Sequence, residues 1–89
     1  MIQFKQHYDA IVARGKITPE TRIYDFLIKI DEEILELWDS YTTSNGKEEI
    51  DEMEAIDVMA AVVNMLIHMN FDVVKLYEKN IKKQLNRKD

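Results

Sequence analysis

The sequence predicts an all-α protein: a small four-helix, bundle-like chain built on a central antiparallel helical hairpin and assembled as a dimer or tetramer. Apolar residues recur at three- and four-residue spacings through four stretches, the signature of amphipathic helices. The two glycines and the single proline all fall between those stretches, where helices end. The third stretch turns apolar nearly all round after Ala55, and a helix of that kind is buried on most sides. In a chain of 89 residues a single core is marginal, so part of that cover is expected from a second subunit.

In the first stretch Ile2, Phe4, Tyr8, Ile11 and Val12 share helical spacing, and Arg14-Gly15 supplies the stop, since glycine accepts the left-handed conformation that ends a helix. Lys16 to Thr21 reads as a connector with two N-cap candidates: Thr18, followed by proline at the first helical position, or Thr21. The second helix is expected from about Thr21 to Thr43. Steps of roughly 100° per residue gather Ile23, Phe26, Leu27, Ile30, Ile34, Leu37, Trp38 and Tyr41 into one broad apolar arc, with Glu33 at its edge and Lys29 and Glu36 just beyond. Leu35 stands opposite and points to a second buried contact, with another subunit.

Thr42 to Gly46 is turn-like, and a third helix is expected from about Glu48 to His68. On it Glu54, Asp57, Asn64 and His68 form one stripe together with Ala61. Buried polar groups are costly without partners, so a polar stripe down an apolar helix reads as the lining of a cavity. Asp72 is the expected N-cap of a fourth helix reaching about Arg87, with Val74, Tyr77, Ile81 and Leu85 as its apolar edge.

Composition excludes several classes. With no cysteine, disulfides, thiolate zinc sites and a cysteine nucleophile are ruled out. A net charge of −5 does not suit a nucleic-acid surface, which needs clustered positive charge. The N-terminus lacks the apolar run of a signal peptide, and the apolar segment from Ala55 to Met69 is short and interrupted by Asp57 and Asn64. The expectation is a cytoplasmic protein that binds neither nucleic acid nor membrane. Charge is nonetheless polarised: Lys47 is the only base between Asp31 and Asp57, while the tail carries Lys75, Lys79, Lys82, Lys83, Arg87 and Lys88.

The chemistry is concentrated in Lys29-Ile30-Asp31-Glu32-Glu33-Ile34-Leu35-Glu36-Leu37 and Glu54-Ala55-Ile56-Asp57. Each segment puts two carboxylates three residues apart, on one helix face and one turn apart. Glu33 and Asp57 lie twelve residues either side of Asn45, and Glu36 and Glu54 nine either side. A hairpin turning there sets Glu33 against Asp57 and Glu36 against Glu54. Four such carboxylates repel one another unless cations or protons intervene. All-oxygen donors suit Mg²⁺, with Mn²⁺ as the alternative, better than zinc or copper, and Mg²⁺ commonly joins carboxylates to substrate phosphates. The competing reading is a solvated acidic face, which fits Glu32, further round the helix.

These segments resemble the all-α nucleoside triphosphate pyrophosphohydrolases, the MazG-like proteins and their relatives, whose pattern is a lysine, then EExxEL, then ExxD followed by an apolar run. The match covers the second and third helices, about a third of the chain; the first helix with Arg14-Gly15-Lys16-Ile17-Thr18 and the basic tail are similar in a looser way. The resemblance implies that Glu33, Glu36, Glu54 and Asp57 coordinate Mg²⁺, and that a nucleoside triphosphate is hydrolysed to the monophosphate and pyrophosphate. It implies Glu33 or Glu36 as the general base. Lys29, with Lys79, Lys83 or Arg87, would balance the triphosphate charge. The family's tail usually carries a lysine, an asparagine and an arginine, and the spacing Lys83-Gln84-Leu85-Asn86-Arg87 does not align with it residue by residue.

Other polar residues carry open alternatives. Asn64 either touches the base or sugar or satisfies a neighbouring group; His68 reads as an ordinary hydrogen-bonded histidine more than a ligand. Trp38 belongs to the core or a dimer interface, with base stacking as the alternative, and His7 has no chemical role. A di-iron bundle requires Glu-x-x-His, and neither histidine stands three residues after a glutamate. The rival function is a catalytically inactive helical assembly or regulatory module that keeps the fold.

Overall fold

The computed structural model describes residues 3–87; Ile2 of the expected first helix and Lys88 of the tail lie outside the described residues. The chain there is all-helical: α1 (Phe4–Ala13), α2 (Ile23–Thr42), α3 (Glu52–His68) and α4 (Val73–Leu85). α1 stops where the sequence says it should. Gly15 takes φ 73°, its N–H donates to Val12 O at 2.9 Å and the Lys16 N–H donates to Ile11 O at 3.2 Å, a Schellman closure that glycine permits.

α2 starts later than either expected cap. The Thr21 Oγ1 accepts from the Thr18 N–H at 2.9 Å, and the Thr21 N–H donates to Thr18 O at 3.0 Å, so both threonines are spent closing the connector. Arg22 becomes the cap residue, its N–H donating to the Asp25 carboxylate at 2.9 Å. That bond holds the Asp25 carboxyl below its usual range. α3 also starts late, at Glu52 instead of Glu48. Asn45, Gly46 and Glu48 adopt left-handed φ values of 57°, 80° and 57°, which a right-handed helix does not continue. Asp51 is the cap that works, accepting from the Met53 N–H at 2.9 Å.

α2 and α3 form the expected antiparallel hairpin. The Asp51 N–H donates to Ser40 Oγ at 3.2 Å near the turn, Glu36 meets Glu54 midway, and the rings of Phe26 and His68 lie 5.0 Å apart at the far end. His68 ties three segments together: its Nδ1 hydrogen-bonds the Tyr8 hydroxyl at 2.9 Å, and its Nε2–H donates to Thr21 O at 2.8 Å. A carbonyl only accepts, so the proton of the second bond sits on Nε2.

The bundle, however, does not close within one chain. α1, α2 and α4 each pack on α3, and no other pair of helices packs together among the described residues. The reason lies at Asn70, which takes φ 65° and ends α3 with the Phe71 N–H donating to Leu66 O at 3.0 Å. Asp72 then caps α4 by accepting from the Lys75 N–H at 3.1 Å, and α4 departs at a bend of 112°. No single helix among the described residues is long and apolar enough to cross a membrane; α3 and α4 reach that measure only as this bent pair.

The core that results is small. Ile17 and Phe26, each 6% exposed, are the buried hydrophobic residues among those described. The radius of gyration is 15.4 Å, where a compact chain of this length would have about 12 Å. The broad apolar arc expected on α2 is really two. Phe26 is buried and Ile30, Leu37 and Tyr41 are half-buried, whereas Ile23, Leu27, Ile34 and Trp38 stand exposed.

Candidate functional site

The hairpin register brings the acidic pairs together at the α2–α3 seam. Among the described residues one group of carboxylates comes close enough to share an ion: Glu33, Glu36 and Glu54, with one oxygen from each lying within 4.8 Å of the others. Periodicity puts Glu33 at the edge of an apolar arc, and in the fold it is only 6% exposed. Its Oε1 is paired with Lys29 Nζ at 2.7 Å. Its Oε2 is buried and accepts no hydrogen bond, and the same is true of Glu54 Oε2. A buried carboxylate oxygen without a partner is costly, and two of them at one cluster fit a hard divalent cation.

The charges respond to this crowding. Burial raises the Glu54 carboxyl above its ordinary value, and the negative charge and hydrogen bond of Glu36 raise it further. Lys29 is raised in turn, chiefly by its hydrogen bond to Glu33, so it stays cationic beside the cluster. A folded-state value raised above 4.5 for Glu54 means that its contribution to stability is complete below pH 4.5 and is lost as pH rises through the folded value. The metal-free protein should therefore lose thermal stability over that window, and Glu54→Gln should remove this component of the slope. Melting curves in chelator across the window check it; identical pH profiles for the two proteins would refute the assignment. Because the proton must leave before an ion binds, divalent-ion affinity should climb over the same range.

Beside the cluster lies a cavity of about 550 Å³ between α1, the connector and the hairpin. Of the residues singled out in the sequence, Lys29, Glu33, Asp57 and Asn64 line it. Asp57, one turn on from Glu54, lies on this cavity wall and outside the three-carboxylate group; its side chain is one methylene shorter than that of glutamate. Asn64 is 6% exposed. Its Nδ2 hydrogen-bonds His7 Nδ1 at 3.1 Å, and its Oδ1 is buried without a partner.

Lys79, Lys83 and Arg87 are not among the lining residues, as the departure of α4 requires. His68 is also absent from the lining, being engaged with Tyr8 and Thr21. Trp38 stacks edge-on against Tyr41 with centroids 6.2 Å apart, in a separate apolar groove with Ile34, Leu37 and Ile50.

α1 supplies a wall that the sequence reading missed. His7, Ile11 and Arg14 all face the cavity, joined by Lys16 and Ile17 from the connector. The spacing 7, 11, 14 is one helical stripe. That signal is present in the sequence but blends into the short helix's ordinary amphipathicity. No family model, curated protein or solved structure matches the chain.

Proposed function

We propose that this protein is a Mg²⁺-dependent nucleoside triphosphate pyrophosphohydrolase, releasing pyrophosphate and a nucleoside monophosphate from a standard or modified nucleotide, in the manner of a cytoplasmic nucleotide-pool housecleaning enzyme. The observation that carries it is the convergence of Glu33, Glu36 and Glu54, with two buried, unpartnered oxygens, beside a cavity that Lys29 and Asp57 also line. Three of the four carboxylates implied by the motif resemblance lie in this group, and the fourth, Asp57, lines the adjoining cavity.

In this reading Glu33, Glu36, Glu54 and Asp57 would hold the ion. A bound Mg²⁺ supplies charge neutralisation at the phosphates and an acidified water. Lys29 pairs with Glu33 at 2.7 Å and offers a positive charge toward the phosphates. Glu33 or Glu36 accepts the proton of the attacking water. Asn64 orients the base or sugar. Lys79, Lys83 and Arg87 serve the site of a neighbouring subunit in a homodimer or dimer of dimers, because α4 packs in its own chain on α3 alone.

Pyrophosphate release from a panel of nucleoside triphosphates with Mg²⁺, repeated with Mn²⁺, tests the reading. Turnover of at least one nucleotide, abolished by chelator, is the expected result. No turnover of any, together with no thermal stabilisation by Mg²⁺ plus nucleotide, would leave the non-catalytic helical assembly as the function.

A further inference from the structure

We propose that Arg14 and Lys16, at the turn between α1 and α2, form the polyphosphate-binding subsite of this cavity and hold the triphosphate of a nucleotide against the carboxylate cluster. The inference deepens the pyrophosphohydrolase reading and rests on it for the identity of the ligand, though not for the anion site itself.

Three observations converge. First, both side chains line the cavity, and neither makes an ion pair among the described residues, whose bridges are Lys5 with Asp9, Arg22 with Asp25 and Lys29 with Glu33. The other charges of the cavity wall are mostly answered: Asp25 by Arg22 and Glu33 by Lys29. The residual charge is therefore two cations on the α1 side and Asp57 on the hairpin side.

Second, the two cations stand on fixed backbone. Arg14 is the cap residue of α1, Gly15 at φ 73° makes the Schellman turn, and Ile17 just beyond is one of the buried core residues. The backbone that carries Arg14 and Lys16 is thus fixed on both sides.

Third, the ligand class fits: a triphosphate stays anionic with one divalent ion bound, and Arg14 and Lys16 are, among the described residues, the unpaired cations of the cavity wall, Lys29 being held by Glu33. The guanidinium and the ammonium are the two groups that recognise phosphate oxygens.

Calorimetric titration with inorganic tripolyphosphate as its Mg²⁺ complex tests the subsite directly. The wild type should bind; Arg14→Gln and Lys16→Gln should each weaken binding about ten-fold and together about a hundred-fold, and added salt should weaken the wild type. Mn²⁺ binding in the absence of phosphate, read from its paramagnetic spectrum, should be unchanged in both variants. Absence of tripolyphosphate binding, a double variant that binds like the wild type, or parallel loss of Mn²⁺ affinity would each overturn the proposal. If no nucleotide is hydrolysed yet tripolyphosphate binding is present and lost in the double variant, the anion site stands and the hydrolase reading falls. A nucleoside triphosphate binding more tightly than tripolyphosphate identifies the nucleotide as ligand; equal affinity identifies the free polyanion, and either result supports the subsite.

Discussion

Glu33→Gln should lower the proposed pyrophosphate release by about a thousand-fold, in the range expected when a general base or a metal-organising carboxylate is neutralised, and should do so without unfolding the chain. Glu33 is where the carboxylate cluster and the cavity meet: it belongs to both the ion-sharing group and the cavity wall. Glutamine keeps the shape and removes the charge that Lys29 pairs with. Lys29 is more than half exposed, so water replaces its lost partner at little cost. Removing one negative charge from the cluster relieves repulsion, and the variant should melt no lower than the wild type in chelator while losing the stabilisation conferred by Mg²⁺. Steady-state assay, circular dichroism and melting with and without Mg²⁺ check the three parts together. Activity within ten-fold of the wild type would place the chemistry elsewhere.

The second large effect concerns assembly. The chain exposes 7470 Å², whereas a monomer of 10.6 kDa is expected to expose about 5,500 Å², an excess of about 2,000 Å². Obligate dimers bury total areas of about 2,000–5,000 Å² counted over both chains, so a second copy would cover a surplus of this size. Trp38 at 61% exposure lines the apolar groove with Ile34, Leu37, Tyr41 and Ile50, and Leu35 at 68% stands further round α2. Light scattering at micromolar concentration should report a dimer or tetramer, with a melting temperature that rises with protein concentration.

Leu35→Glu should shift the protein to monomer. A buried leucine contributes about 1.5–3 kcal/mol and appears twice in a two-fold interface, so the dissociation constant should rise by about a hundred-fold to ten-thousand-fold. A wild-type monomer of undiminished stability would contradict the assembly outright.

How much of this was legible in the sequence varied with the range of the interactions involved. The helices and the hairpin register followed from local periodicity and the turn at Asn45, and Asp72 capped α4 as its position suggested. The helix starts at Ile23 and Glu52 did not follow, because they are decided by competition among nearby polar groups and by turn geometry: Thr21 is consumed by Thr18, and Glu48 takes a left-handed φ while Asp51 caps α3. Division of the α2 arc into an inner and an outer face was also hidden, since angular position alone does not say whether one neighbour or two will cover an arc. Glu33 and Glu54 were visible as paired acids, but the burial that leaves their oxygens unpartnered depends on α3 packing across them. Least visible was the α1 wall, where the link between His7 and Asn64 spans most of the chain.

The turn between α2 and α3 carries one more implication. Its helix-proximal end is fastened by the Asp51 N–H on Ser40 Oγ and by the Tyr41 hydroxyl donating to Glu48 at 2.8 Å, so the register of the acidic pairs is set below the tip. Residues between Thr43 and Lys47 therefore act as a spacer of adjustable length, and doubling such a loop costs only about 0.6 kcal/mol in closure entropy. Other chains that build the same cluster are free to separate their two acidic segments by quite different distances along the sequence, so long as the clasp beneath the tip is kept.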